Sequence, residues 1–187
     1  MILLLPSQST VLHAYAVLLG MTPGNAAFKD HQAYIASQTN AGYLSAVESY
    51  FAGTSTASLA STALTNLGLT SVITQADAEA FLNANPGNRA GALVAAGQWL
   101  YSYSGTDAVT LAAKAAYVNA IESSYAYSNN AVNVNGKAWV GYWWTIHLSR
   151  SWFYNLGWQC VRRHNQRFCA TKPKWRQRQL VLYGRHN

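Results

Sequence analysis

The chain has 187 residues, half of them hydrophobic, with a mean hydropathy of −0.03 and a formal net charge of +7. That length suits one domain with a substantial core, and no window approaches the roughly 20 apolar residues of a membrane-spanning helix. The opening MILLLPSQST has an apolar run, but no basic segment precedes it and Pro6 interrupts it, so the expectation is export, if any, without a classical cleaved leader.

The first 137 residues read as helices with ordinary punctuation. STVLHAYAVLLG places Leu12, Tyr15, Ala16 and Leu19 on one helical face, with Ser9 or Thr10 as cap and Gly20 as stop. TPGN is a turn, and AAFKDHQAYIASQ forms the next helix. In LSAVESYFAG, Ser45 and Glu48 have the spacing of a capping box. SLASTALTNLG ends at Gly68. TQADAEAFLNANPG starts at Thr74, with Asp77 in its first turn, and stops before Pro86. NRAGALVAAGQWLYSYSG and TDAVTLAAKAAYVNAIESSYAY follow, the latter with Leu111, Ala115, Val118, Ile121 and Tyr125 on one face. The expected fold is all-α, a bundle of six or seven short helices. Small Ala and Gly faces let such helices approach to about 8 Å.

Three motifs carry a resemblance: Leu19-Gly20 with Pro23, the stretch from Asn40 to Ser45, and Gly87 to Arg89. Over residues 9–133 the chain resembles the N-terminal helical region of bacterial surface-layer and RTX-type secreted surface proteins. The resemblance implies a secreted or cell-surface module that anchors to surface polysaccharide or lipopolysaccharide, with self-association among its expected behaviours. It also implies calcium, which such proteins bind through a separate C-terminal region, and export through a one-step channel. The sequence departs from that pattern in lacking the Gly- and Asp-rich nonapeptide calcium repeats.

Near NNAVNVNGKAW the composition changes. Residues 1–137 hold four basic and six acidic residues, a net of −2, whereas residues 138–187 hold nine basic and no acidic ones, a net of +9. Six of the seven Trp and both Cys lie in this second part. The division expected is therefore a helical domain, 1–137, and an irregular Trp/Arg-rich tail, 138–187, poorly packed or with exposed Trp. One reading of the tail is a frame-shifted end, since ordinary chains mix both charge signs. A second is a membrane- or lipopolysaccharide-binding segment, with Arg162, Arg163, Arg167, Lys172, Lys174, Arg176 and Arg178 neutralising phosphates and Trp at the interface. A third is nucleic-acid binding through the same cations and aromatic stacking. A fourth is a tail that packs on the bundle.

Signals for catalysis are few. Cys160 and Cys169 with His164 between them give three metal-type ligands and no fourth; a disulfide and two free thiols are the other readings. Asp30, His31 and Glu48 could be grouped as an acid–base set, but Asp30 and His31 are adjacent on a helix and point about 100° apart. There is no phosphate loop, nucleophile elbow or His-Glu-x-x-His. The expectation is a non-enzymatic protein with no resident metal or cofactor of its own. The many Tyr serve either as bulk in an Ala-rich bundle or as sugar-stacking faces. For the latter the stretches QTNAGY and YSYSG are singled out, with Gln38, Asn40, Tyr43, Tyr101 and Tyr103 as the glycan-binding candidates.

Overall fold

The computed structural model describes residues 2–139, 158–163 and 166–171. Helix α1 (Pro6–Ala14) runs without a break into a π-helical stretch (Tyr15–Leu19). The short strand β1 (Met21–Thr22) follows, and then α2 (Asn25–Gln38), α3 (Asn40–Tyr50), α4 (Thr56–Leu67), α5 (Gln75–Asn83), α6 (Arg89–Ser102) and α7 (Ala108–Ser128). Strand β2 (Lys137–Ala138) closes the helical part, and β3 (Trp158–Arg163) pairs antiparallel with β4 (Gln166–Thr171). The all-α bundle expected from helical periodicity is the fold.

The first helix is the axis of the bundle. Thr10 to Leu18 are all buried, because Val11, Leu12, Ala14, Ala16, Val17 and Leu18 leave no polar side to turn to water. α2, α4, α6 and α7 pack around it. Its few polar side chains are satisfied internally: Thr10 Oγ1 donates to the Pro6 carbonyl at 2.9 Å, and His13 Nδ1 lies 2.8 Å from the Tyr117 hydroxyl. The helix starts at Pro6 rather than at a Ser9 or Thr10 cap, since proline at the first helical position needs no N–H partner. Gly20 ends it in the left-handed region, at φ 59°, as its sequence position predicts. The side-chain amide of the buried Asn66 donates to the Val17 carbonyl near that end.

Two sequence expectations are corrected by the packing. The first is the capping box. α3 begins at Asn40, capped by Thr39, whose Oγ1 accepts the Gly42 N–H at 3.2 Å. Ser45 is therefore in mid-helix, and Glu48 turns to another helix. Its carboxylate accepts Arg89 Nε at 2.9 Å and the Ala90 N–H at 2.7 Å, so it caps α6. Arg89 in turn donates to the Thr54 and Phe51 carbonyls beyond the end of α3. The second, in part, is the face of α7: Ile121 is buried and Val118 and Tyr125 pack on the core, but its N-terminal end differs. Leu111 is 39% exposed, and the inward stripe is Thr110, Tyr117, Ile121, Ser124 and Ser128. The serines face polar groups, not oil: Ser124 Oγ meets Thr22 Oγ1 at 2.7 Å and Ser128 Oγ donates to the Pro23 carbonyl.

Packing also continues past Lys137. β2 pairs with β1, Met21 opposite Ala138 and Thr22 opposite Lys137. The Asn25 N–H donates to the Asn133 carbonyl and the Trp139 N–H to that of Gly20. The Trp139 ring is partly buried on the core, 6.0 Å from that of Tyr117, with Nε1 donating to Ser124 Oγ. The last described contact of this segment with the bundle is thus at Trp139, two residues beyond the compositional boundary.

Candidate functional site

The five glycan candidates do not share one environment. Gln38, the last residue of α2, is exposed; Asn40, the first of α3, is half-buried, with its Oδ1 enclosed and unpaired. Tyr43 is only 4% exposed. Its ring stands edge-to-face with His31 and Tyr34, and burial pushes its phenol well above the ordinary range. Tyr101 is 9% exposed, with its hydroxyl donating to the Ile2 carbonyl and its ring edge-on to His13. The expectation of exposed aromatic faces is therefore corrected at Tyr43 and Tyr101: both rings serve the core. They follow the helical repeat of their elements inward, and only neighbours on the other side of each helix reach water.

Tyr103 is different. It caps the end of α6, half-buried, and its ring lies 5.1 Å from that of Trp99, one helical turn earlier, at an interplanar angle of 61°. Trp99 is 50% exposed, the largest exposed aromatic side chain among the described residues. The pair forms an aromatic corner at the junction with α7. Its backbone is tied from both sides. Lys114 Nζ donates to the Tyr103 carbonyl, and Ser102 Oγ donates to the Gln98 carbonyl. Beyond the connector, Asp107 caps α7 by accepting both the Thr110 N–H and its hydroxyl at 2.7 Å, which holds its carboxyl below the usual range. Gly105 makes the fold of the ring back over the connector feasible, because a β-carbon there would meet the Tyr103 hydroxyl end. Trp99 was not singled out from the sequence; its position two residues from Tyr101 on a helix, hence on the opposite side from that inward ring, is the signal that would have found it.

The acid–base grouping is not assembled. Glu48 is committed to Arg89 and Ala90, and His31 Nε2 lies 3.0 Å from the Tyr15 hydroxyl. Burial lowers the proton affinity of His31, against the pull of Asp30. Among the described residues no group of three His, Cys, Asp or Glu is arranged to hold a metal, and no helix is long and apolar enough to cross a membrane. In the basic segment, Arg162 is the register partner of Arg167, Arg163 that of Gln166, and Cys160 that of Cys169. His164, Lys172, Lys174, Arg176 and Arg178 lie outside the described residues. No protein-family model, no curated protein and no solved structure matches this chain.

Proposed function

We propose that the helical part is a non-enzymatic binding module of the surface-layer type, secreted or at the cell surface, that anchors to surface polysaccharide or lipopolysaccharide. The observation that carries this reading is the exposed Trp99 ring beside Tyr103. An aromatic face buries the C–H face of a pyranose, while a phenol hydroxyl offers a polar partner at its edge. The motifs at Leu19-Gly20, Asn40 to Ser45 and Gly87 to Arg89 support the surface-layer assignment by resemblance. The second reading is a cationic membrane- or nucleic-acid-binding protein acting through residues 138–187, favoured by their nine basic and no acidic residues.

One experiment separates the two. The full chain is passed over immobilised lipopolysaccharide and its isolated neutral polysaccharide across a salt series. Stacking on sugar is expected to hold at high salt and to be lost in Trp99→Ala. Binding driven by phosphate neutralisation falls steeply with salt and ignores Trp99→Ala. The second pattern would overturn the glycan reading.

A further inference from the structure

Between the π-helical stretch, α2 and α3 lies a half-open cavity of about 300 Å³. Tyr15, His31, Tyr43 and Tyr34 form a chain of edge-to-face rings along it, with centroids 5.5, 5.4 and 6.3 Å apart in turn. Tyr50 adds a further ring, and aliphatic side chains such as Leu18 and Val47 complete an almost wholly apolar wall. The Tyr15 hydroxyl and His31 Nε2 are paired with each other at 3.0 Å, which uses the imidazole nitrogen and part of the hydroxyl's capacity. A polyhydroxylated ligand would find few hydrogen-bond partners on so apolar a wall, at a cost. One formal charge lines the space, Asp30, and no Lys or Arg does. A carboxylate-headed chain would be repelled by that anion; a cation would be attracted by it and by any phenol ring whose face it meets.

We infer that this cavity binds a small N-alkylated ammonium compound with an aliphatic body, its cation beside Asp30 and the tyrosine rings and its chain against Leu18 and Val47. This site stands apart from the Trp99–Tyr103 corner, and neither reading depends on the other. A cavity of this volume and apolar lining is at the small end of the usual range for organic ligands.

The test is calorimetric titration of the full chain with n-hexyltrimethylammonium, 1-hexanol and hexanoate, all below micelle-forming concentrations. The ammonium compound is expected to bind at least about tenfold more tightly than hexanol, as a desolvated cation–aromatic contact implies, and hexanoate not to bind at this site. Asp30→Asn should weaken the ammonium compound several-fold and leave hexanol unchanged. Ala46→Lys places a cation at an exposed position of α3 on the cavity rim, so the helix tolerates it, as circular dichroism will verify, while ammonium binding is lost. Equal affinity for hexanol, no heat with the ammonium compound, or binding that survives both substitutions would each overturn the proposal.

Discussion

Glu48 on α3 and Arg89 at the start of α6 are joined at 2.9 Å, and each caps the other's helix: the carboxylate holds the α6 N-terminus and the guanidinium the carbonyls beyond α3. Both side chains are largely enclosed, at 11% and 14% exposure. Replacing Arg89 by Met strands a buried carboxylate and should cost roughly 3 kcal/mol in denaturant unfolding. The Glu48→Gln/Arg89→Met double variant should lose less than the two single losses added together. Additive losses would show that the two residues act separately.

His13 makes stability depend on pH. Burial lowers its pKa from 6.5 to about 4, so the folded protein holds it neutral. A depressed folded-state value means that the unfolded chain binds the proton first as pH falls. The stabilisation is whole above pH 6.5, drains away between 6.5 and about 4, and changes no further below. The loss amounts to about 3 kcal/mol, and His31, also lowered by burial, adds in the same direction. Urea midpoints across this window should fall in the parent and fall much less in His13→Gln, which can still meet the Tyr117 hydroxyl. A parent midpoint flat across the window would contradict the assignment.

Gly105→Ala offers a change confined to the aromatic corner. The added methyl displaces the Tyr103 hydroxyl end from its place over the connector. Retention on neutral surface polysaccharide should drop several-fold while the melting temperature stays within the range of ordinary surface substitutions. Unaltered retention would separate Tyr103 from sugar binding.

A chain ending after Trp139 should fold cooperatively, with the net charge of −2 counted for residues 1–137, since Ala138 and Trp139 add none. The same chain carrying Trp139→Ala should lose roughly 2–3 kcal/mol, because the ring packs on Tyr117 and bonds Ser124. Thermal melting followed by circular dichroism distinguishes these outcomes. A truncated chain without a sharp transition would make residues 140–187 part of the folding unit.

Local signals carried the helices that end where their own residues demand it. Gly20, Gly68 and the Thr74–Asp77 cap stand where their chemistry requires. Capping partners distant in sequence left no such trace: Glu48 matches a local box by spacing, yet its partners are 41 and 42 residues away. The α7 face is legible only in part for a related reason: Val118, Ile121 and Tyr125 pack on the core, whereas Leu111 is exposed. Apolar periodicity marks contact with oil, while Ser124 and Ser128 are buried against backbone and hydroxyl groups. At the candidate site, Tyr103 was legible in YSYSG, but the inward turn of Tyr43 and Tyr101 depends on which helices meet, which composition does not encode.

The central position of the first helix has a consequence for the order of synthesis. His13 waits for Tyr117, 104 residues later, and Thr22 for Ser124, 102 residues later. Met21 meets its strand partner only at Ala138. A chain made from its N-terminus therefore emerges with its most apolar helix first and completes the walls around it last. Such long-range closure slows folding and prolongs the exposure of that helix. During translation the segment from Thr10 to Leu18 is the part of this protein most in need of a temporary cover.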